Sequence, residues 1–380
     1  MRIVSAIVYG MDIPFVETFR HSLAARDHSD SVVVKVTTDT GISGFGEGVP
    51  RAYVTGETKE KSLEHIQAVL LPAILNADLD GTDVHHALAF VHGILPCEDV
   101  SGEVVWHASR CAVELAVTDC LLRANKVSFA AVLPPKIQEI TYSGVISAGR
   151  TPQVEKLARR LKAIGFQHVK LKVGRPEDEE QVGLVRAIMG PSVSLRLDAN
   201  GAFAKDAAIR FLSAVARYNV DCIEQPIPRG DPSELAVLRS SVSVPVMADE
   251  SVVTIRDAEE LIAMNACDLF NLRISKCGGL HNTLAMAERA AAAGIGIQLG
   301  CQVGETAILS AAGRHVAAHL NGLRFVEGSY GTHMLVEDVA EENVTFGHGG
   351  MAPVLAGPGL GITVREEILA KHATAIISVP

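Results

Sequence analysis

Residues 151–172, TPQVEKLARRLKAIGFQHVKLK, hold the unit from which the fold is built. The first part predicts an amphipathic helix, with Thr151 as its N-cap, Pro152 at its first position and Gly165 at its end. The last residues, HVKLK, alternate polar and apolar side chains as a strand does. A helix that leads into a strand is part of a βαβ unit, and such units build parallel sheets. The apolar residues at helical spacing are Val154, Leu157, Leu161 and Ile164.

The same unit recurs along the middle of the chain at a step of about 24 to 27 residues. Eight strand-like segments at one period favour a closed barrel over an open sheet. We therefore predict an α/β fold, a (β/α)8 barrel of the TIM type, which takes roughly 250 residues. The strand segments end near Ser147, Lys172, Asp198, Glu224, Asp249, Arg273, Gly300 and Glu327.

The rest of the 380 residues lies outside the barrel. Residues 1–135 begin with strand-like segments and continue with helical ones, which predicts an α+β domain. We assign residues 136–340 to the barrel. Residues 341–380 are rich in Gly and Pro at their start, and we expect them to return to pack on this first domain.

Composition excludes several classes of protein. The net charge of −10 argues against a nucleic-acid binder, and aromatic residues, at 4%, are too few for a base-stacking surface. Seven cysteines without a C-x-x-C pair do not indicate a disulfide framework or a zinc site. The sequence has no run of 18 apolar residues and no signal peptide at its start, so we expect a cytoplasmic protein without membrane contact.

Strand parity brings three carboxylates together. Side chains alternate between the two faces of a strand, so Lys170 and Lys172 point into the barrel while their apolar neighbours face the helices. By the same parity Asp198, Glu224 and Asp249 point inward at the carboxyl ends of three successive strands, where barrel active sites lie. Clustered carboxylates repel each other, and a hard divalent cation such as Mg²⁺ removes that repulsion.

The order of these motifs resembles the enolase superfamily, in particular its muconate-lactonizing-enzyme subgroup. The mandelate-racemase-like subgroup is disfavoured, because it places a His on the seventh strand and GIGIQLGCQVGE has none. The resemblance implies a capping domain over a modified barrel, Mg²⁺ (or Mn²⁺) on the three carboxylates, and Lys172 as the base that removes a proton next to a carboxylate. The motifs are KLK (170–172), LDAN (197–200), IEQP (223–226), ADES (248–251) and KCGG (276–279).

One position departs from that subgroup, which carries a second lysine inside the sixth strand. Parity places Arg273 there, while Lys276 falls at the start of the next loop. Arginine stays protonated and is a poor proton carrier, although it binds carboxylates well. We therefore predict one-base chemistry, with Lys170 as the electrostatic neighbour of Lys172 and with Arg273 or Lys276 across the substrate.

The reaction predicted first is α-proton abstraction from a small carboxylate or dicarboxylate to give a metal-stabilised ene-diolate. Its outcome would be cycloisomerisation or syn-elimination, as in a dehydratase. The alternative is a racemase or epimerase of an amino-acid derivative or dipeptide on the same scaffold. A metal-free Schiff-base aldolase would leave the three inward carboxylates unexplained.

Further residues are candidates for substrate binding. In the capping domain Arg20, His21, Arg51 and Tyr53 lie in loops that, by resemblance, close over the site. The partner we expect is a small anionic carboxylate, with no nucleic acid and no membrane, and the assembly a homo-oligomer. The binding candidates at the carboxyl ends of barrel strands are Asn200, Glu305 and Glu327.

Overall fold

The computed structural model describes residues 1–20, 25–97, 102–175 and 177–380. The N-terminal part combines antiparallel strands with four α-helices, as predicted, and a π-helical turn (Ile66–Leu70) joins the first two helices. The strands are β1 (Ile3–Met11), β2 (Pro14–Arg20), β3 (Ala25–His28), β4 (Val32–Thr38) and β5 (Ser43–Gly48). The helices are α1 (Lys59–His65), α2 (Leu71–Ile74), α3 (Ala87–Ile94) and α4 (His107–Ala124).

Helix α4 lies directly on β5, because one face of that strand carries only glycine. Gly44, Gly46 and Gly48 alternate along β5 and face the helix. A Cβ atom on Gly46 would lie 2.0 Å from the carbonyl oxygen of Ala112, and one on Gly48 would lie 1.9 Å from that of Ala108. The absence of side chains therefore sets the distance between helix and sheet.

The barrel sheet has eight parallel strands in sequence order, which confirms the predicted fold class. A short strand, β6 (Glu139–Thr141), precedes it. The barrel strands are β7 (Gly144–Ile146), β8 (His168–Lys172), β9 (Ser194–Asp198), β10 (Cys222–Glu224), β11 (Val246–Ala248), β12 (Leu269–Leu272), β13 (Gly296–Leu299) and β14 (Leu323–Val326). The helices between them are α5 (Thr151–Ile164), α6 (Asp178–Met189), α7 (Lys205–Val215), α8 (Pro232–Ser241), α9 (Ile255–Ala263), α10 (Leu280–Ala292) and α11 (Ala307–His319).

The first and last barrel strands meet without a full ladder. The backbone N–H of Ser143 donates to the carbonyl oxygen of Val326 at 2.9 Å and so connects β14 to the residue before β7. No α-helix follows β14 in residues 327–350, all of which are described, and the helical residues in this stretch form only two short 3-10 turns. The eighth helix of a regular barrel is therefore missing here.

The C-terminal residues contact both parts of the molecule. Strand β15 (Met351–Pro353) pairs with β6 beside the barrel. After α12 (Glu366–His372), strand β16 (Ala373–Val379) pairs antiparallel with β1, which gives the sheet order β16-β1-β4-β5. The chain thus ends in the sheet in which it began.

Helix α5 begins one residue earlier than predicted. Thr151 is its first residue and Arg150 its N-cap, so the assignment of Thr151 as the cap was wrong. The side-chain oxygen of Gln153 accepts the backbone N–H of Arg150 at 3.0 Å, which supplies the cap without a hydroxyl. Gly165 ends the helix with φ of 88°, as predicted.

Within the described ranges, no helix is both long enough and apolar enough to cross a lipid bilayer.

Candidate active site

The two lysines and three carboxylates lie at one end of the barrel sheet. Lys170 and Lys172 stand on β8, Asp198 and Glu224 end β9 and β10, and Asp249 directly follows β11. The register is level, because Lys172 pairs with Asp198 and Asp198 with Glu224. Each of the five is at most 7% exposed. The structure thus brings together the groups that strand parity had grouped.

Lys172 has two short contacts. Its Nζ donates to Asp198 Oδ2 at 2.6 Å and to Asn200 Oδ1 at 2.7 Å. Asn200 adopts a left-handed backbone (φ 44°) and donates its own N–H to Asp198 Oδ1 at 3.1 Å. The tight turn after β9 therefore returns a side chain to the lysine of the neighbouring strand.

Lys170 is surrounded by carboxylates. Its Nζ lies 2.8 Å from Glu327, 3.0 Å from Asp198 and 3.3 Å from Glu224. Burial disfavours the ammonium form, but these three carboxylates outweigh it and hold the pKa of Lys170 well above its usual value. Lys170 is therefore expected to stay positively charged beside Lys172.

Glu327 lies between two protein cations. Arg196 donates to Glu327 from inside the barrel, and its guanidinium lies 4.4 Å from the ring centroid of Phe325. Although Glu327 lines the cavity, both of its oxygens contact Lys170 or Arg196. Its first partners are thus protein cations, and it fixes Lys170 in place.

Glu224 receives two amide hydrogen bonds. Asn271 Nδ2 donates to it at 2.8 Å and Gln298 Nε2 at 3.1 Å. Burial and the nearby charge of Asp198 raise the pKa of Glu224 to about 8. The amides orient both carboxylate oxygens at the barrel centre.

Arg273 and Lys276 take different positions. Arg273 lines the cavity and contacts Asp249, with further donors 3.0 Å from Gln302 Oε1 and 3.4 Å from Glu224 Oε1. Arg273 follows β12, and Lys172 lies on β8. Three strands separate β12 from β8 in the barrel, so the two cations face each other across it.

Lys276 does not reach the cavity. It is 1% exposed, and its Nζ donates to Asp249 Oδ1 at 2.9 Å and to the carbonyl oxygens of Asp249 and Asn271 at 2.7 Å each. All three protons of the ammonium group have partners. Lys276 was predicted as a catalytic group, but the structure places it behind Asp249, where it orients that carboxylate.

The residues present fit a hard divalent cation in their chemistry. Asp198, Glu224 and Asp249 offer oxygen donors from three adjacent strands, the ligand type that Mg²⁺ prefers. Lys170 bridges the first two carboxylates and Arg273 the last two, so a positive charge already links each neighbouring pair. Because these cations lie between the acids, no three metal-binding side chains in the described residues converge as a ready-made cluster.

The predicted substrate-binding residues fall into two groups. Asn200, Glu305 and Tyr53 line a cavity of about 650 Å³ together with Lys170, Lys172 and Arg273. Glu305 is half-buried, accepts the N–H of Gln302 at 2.6 Å, and has its pKa raised by burial to about 8.

Arg51 does not line this cavity. It is 1% exposed and donates to Asp30 Oδ1 and to the carbonyl oxygen of Val303, each at 2.5 Å. It therefore connects the capping residues to the loop after β13, although the sequence suggested it for substrate binding. Of the other capping candidates, His21 and the side chain of Arg20 lie outside the described residues.

Several residues of this site were not singled out from the sequence. Gln298 and Gln302 hold Glu224 and Arg273, and Arg196 holds Glu327. For Gln298 and Arg196 the available signal was inward parity, because polar side chains on buried strands need partners, whereas Gln302 lies in the loop after β13. Three residues after barrel strands adopt a left-handed backbone conformation that the sequence did not predict, because none of them is glycine. They are Asn200 (φ 44°), Gln225 (φ 37°) and Ser329 (φ 53°).

Comparison with known families agrees with this geometry. The family model described as "Enolase C-terminal domain-like" matches residues 153–368. The model described as "Mandelate racemase / muconate lactonizing enzyme, N-terminal domain" matches residues 6–133. The chain belongs to the enolase superfamily. Its resemblance to the muconate-lactonizing branch is thereby confirmed.

Known members of the superfamily resemble this chain along most of its length. A hydrophobic dipeptide epimerase of Enterococcus faecalis is 29% identical over 84% of this chain and 87% of its own. Its crystal structure, with Mg and the dipeptide L-Leu-L-Tyr, has a TM-score of 0.84 at 28% identity and covers 96% of this chain and 100% of that one.

Two further relatives cover 97% of this chain and 97% of their own. The N-succinyl-L-Arg/Lys racemase of Bacillus cereus is 27% identical, and muconate cycloisomerase 1 of Rhodococcus opacus is 28% identical. The crystal structure of the B. cereus racemase has a TM-score of 0.90 at 26% identity and covers 100% of both chains. The relatives of this chain thus include racemases and epimerases of amino-acid derivatives as well as a cycloisomerase.

Proposed function

We propose that this enolase superfamily enzyme removes the α-proton of a small carboxylate with Lys172 as the base. A divalent cation held by Asp198, Glu224 and Asp249, Mg²⁺ first and Mn²⁺ as the alternative, would supply charge neutralisation for the ene-diolate that proton loss creates. The observation that carries the proposal is the level row of Lys172, Asp198 and Glu224 at the cavity end of adjacent strands.

Different residues of the chain would position the base and bind the substrate. Asn200 and Asp198 hold the Lys172 amine at 2.7 and 2.6 Å, which fixes the direction from which it meets the α-carbon. Lys170, fixed by Glu327, adds positive potential where the substrate carboxylate binds. Arg273 faces the same cavity from the far side and offers a guanidinium to a second anionic or carbonyl group.

The relatives support an amino-acid derivative as the substrate class, such as a dipeptide or an N-acyl amino acid. Their printed names favour racemase or epimerase chemistry, which is the second candidate outcome. That outcome needs a proton donor on each face of the α-carbon. Arg273 across the cavity from Lys172 favours exchange on one face, hence cycloisomerisation or syn-elimination, because a guanidinium does not release its proton near neutral pH.

The test is solvent deuterium exchange at the α-carbon. Separate L and D forms of N-acyl amino acids and dipeptides are incubated with enzyme and Mg²⁺ in D₂O, and exchange is followed by NMR. We expect exchange in one enantiomer and its loss in Lys172→Ala, because Lys172 is the proposed base. Exchange in both enantiomers would support the racemase or epimerase instead, and unchanged exchange in Lys172→Ala would refute the proposed base.

A further inference from the structure

The 650 Å³ cavity continues beyond the charged groups. From Lys170 and Lys172 it extends along β7 to the inner side of α5. We call this extension the α5 branch and define it by the apolar and aromatic residues that line it: Leu157, Leu161, Ile164, Phe166, Tyr330 and Phe346. The whole volume lies within the range of small-molecule sites, about 300 to 1,000 Å³.

The branch exists because the eighth barrel helix is missing. In a regular barrel a helix after β14 would pack beside α5. Here α5 fully buries only Val154 and Ala158 and leaves Leu157, Leu161 and Ile164 half-buried. The next helix, which has neighbours on both sides, buries four large apolar residues: Val182, Val185, Ile188 and Met189.

The far wall of the branch is held by aromatic contacts. The ring of Phe346 stands edge-on to Phe166 at 5.5 Å and to Tyr330 at 5.2 Å between centroids. The Tyr330 hydroxyl donates to the carbonyl oxygen of Ser143 at 3.0 Å, so its ring cannot turn into the branch without losing that bond. The wall is therefore shaped by fixed rings.

A glycine keeps the near wall open. Gly144 in β7 lines the branch, and a Cβ atom there would lie 2.9 Å from both methyl carbons of Leu161. The next residue, Val145, pairs with Lys170 and joins the branch to the charged end. At the other end Arg160 and His348, both exposed, mark an opening to solvent.

We propose that the α5 branch binds an unbranched apolar acyl chain on the α-nitrogen of the substrate. The substrate carboxylate and α-carbon would occupy the charged end, as the proposed function requires, and the chain would extend past Gly144 between Leu161 and Phe346. Folded interiors are close-packed, so an apolar space that opens into the charged cavity fits an apolar ligand group.

The experiment measures α-deuterium exchange for N-acetyl, N-butanoyl, N-hexanoyl, N-octanoyl and N-decanoyl alanine. In the wild-type enzyme kcat/KM should rise about two- to fourfold for each methylene that enters the branch, and then level off. A second measurement is calorimetric binding of N-decanoylglycine against N-acetylglycine, which needs no turnover. Chain-length dependence in both would support the proposal, and its absence in both would overturn it.

Two variants narrow the branch. Leu161→Trp fills it with a larger ring, and Gly144→Ala pushes the Leu161 methyl groups into it. Each should reduce the decanoyl-to-acetyl ratio of kcat/KM at least tenfold. The matched control is Leu184→Trp, the same substitution at a half-buried leucine of α6 away from the cavity, which should keep the wild-type ratio. An unchanged ratio in both branch variants would refute the assigned location.

The outcomes separate this inference from the proposed function. Exchange on N-acetyl alanine without any gain from longer chains leaves the proposed function standing and overturns the acyl-chain site. Tighter binding of N-decanoylglycine without exchange on any substrate supports the site and overturns the proposed chemistry.

Discussion

Arg273 is the residue in which this chain departs from the subgroup that it resembles. A guanidinium keeps its proton at any pH the fold tolerates, whereas a lysine amine can lose it. In this structure Arg273 also contacts Asp249, Glu224 and Gln302, so it is held as a clamp at the cavity wall. The side chain therefore binds charge well and transfers protons poorly.

Arg273→Lys should restore a second base. We expect deuterium exchange in the enantiomer that the wild-type enzyme leaves untouched to rise at least tenfold, because a lysine amine faces the α-carbon from the other side. NMR of each enantiomer in D₂O measures this. Arg273→Gln is the control, since it removes the guanidinium without adding a base and should show no such gain. Equal exchange of both enantiomers by the wild type would contradict the premise.

At this scale the sequence predicts which residues point inward, but not how they pair. Strand parity placed Lys170, Lys172 and the three carboxylates correctly. It did not show that Glu327 contacts Lys170 and Arg196, or that Arg51 contacts Asp30 and Val303. Such pairs join residues far apart in the chain, and a single sequence carries no signal for them.

Among the elements, β5 and α4 lie close together because the face of β5 toward α4 carries only glycine. Gly46→Ala would place a methyl group 2.0 Å from the Ala112 carbonyl oxygen, so helix and sheet would have to separate. We expect a loss of about 1–3 kcal/mol in unfolding free energy, measured by urea denaturation. Gly93→Ala in α3 is the matched control, because no atom lies within 4 Å of its Cβ position. Equal destabilisation of both variants would contradict the contact.

Helix α11 carries a buried histidine that links stability to pH. His315 is 4% exposed, lies 5.4 Å from the Phe129 ring and contacts the carbonyl oxygen of Leu360 at 3.1 Å. Burial lowers its pKa from 6.5 to about 4. Between these values the unfolded chain binds a proton that the folded chain does not, so this contribution to stability is present above pH 6.5 and lost toward pH 4.

His315→Gln tests that linkage. The contribution lost on acidification is on the order of 3 kcal/mol, from about 1.4 kcal/mol per pKa unit. We therefore expect the wild type to lose more unfolding free energy than the variant between pH 7 and pH 4.5, as measured by urea denaturation at several pH values. Parallel curves for the two proteins would show that His315 titrates alike in both states.

Secondary structure was predicted well where periodicity is strong, and less well where it is not. The alternation of strands and helices from Gly144 to Val326 gave all eight strands in order. The N-cap at Thr151 was wrong by one residue, because Gln153 rather than a hydroxyl caps the helix. The missing eighth helix was not foreseen, since the residues after Glu327 carry turn signals whose packing depends on distant parts of the chain.

At the scale of the whole molecule, the capping domain and the barrel are connected through the C-terminal residues and the capping loops. Strand β16 adds to the sheet of β1, and Arg51 reaches the loop after β13. The proposed metal ligands come from three strands about 25 residues apart, so only the folded barrel brings them together. A cation that binds there stabilises the folded state by mass action.

Mg²⁺ should therefore raise the melting temperature in proportion to its binding. At a free concentration of about 100 times Kd the gain is about 2.7 kcal/mol, read as a shift in a thermal melt with and without EDTA. Asp249→Asn should lose the shift, because it removes one anionic ligand. Asp231→Asn, at an exposed helix cap, is the control and should keep it. Equal shifts in both variants would place the cation elsewhere.

The left-handed backbones at Asn200, Gln225 and Ser329 have a consequence for protein engineering. Glycine would adopt these angles without strain, yet each position carries a side chain with a specific contact: Asn200 with Lys172, Gln225 with the N–H of Asp249, Ser329 with Arg314. Glycine at any of the three would relax the backbone but remove that contact. A mutant library designed for thermostability should therefore leave these three codons unchanged. A substitution that relaxes the backbone there would also remove a side chain that positions a residue at the end of the barrel.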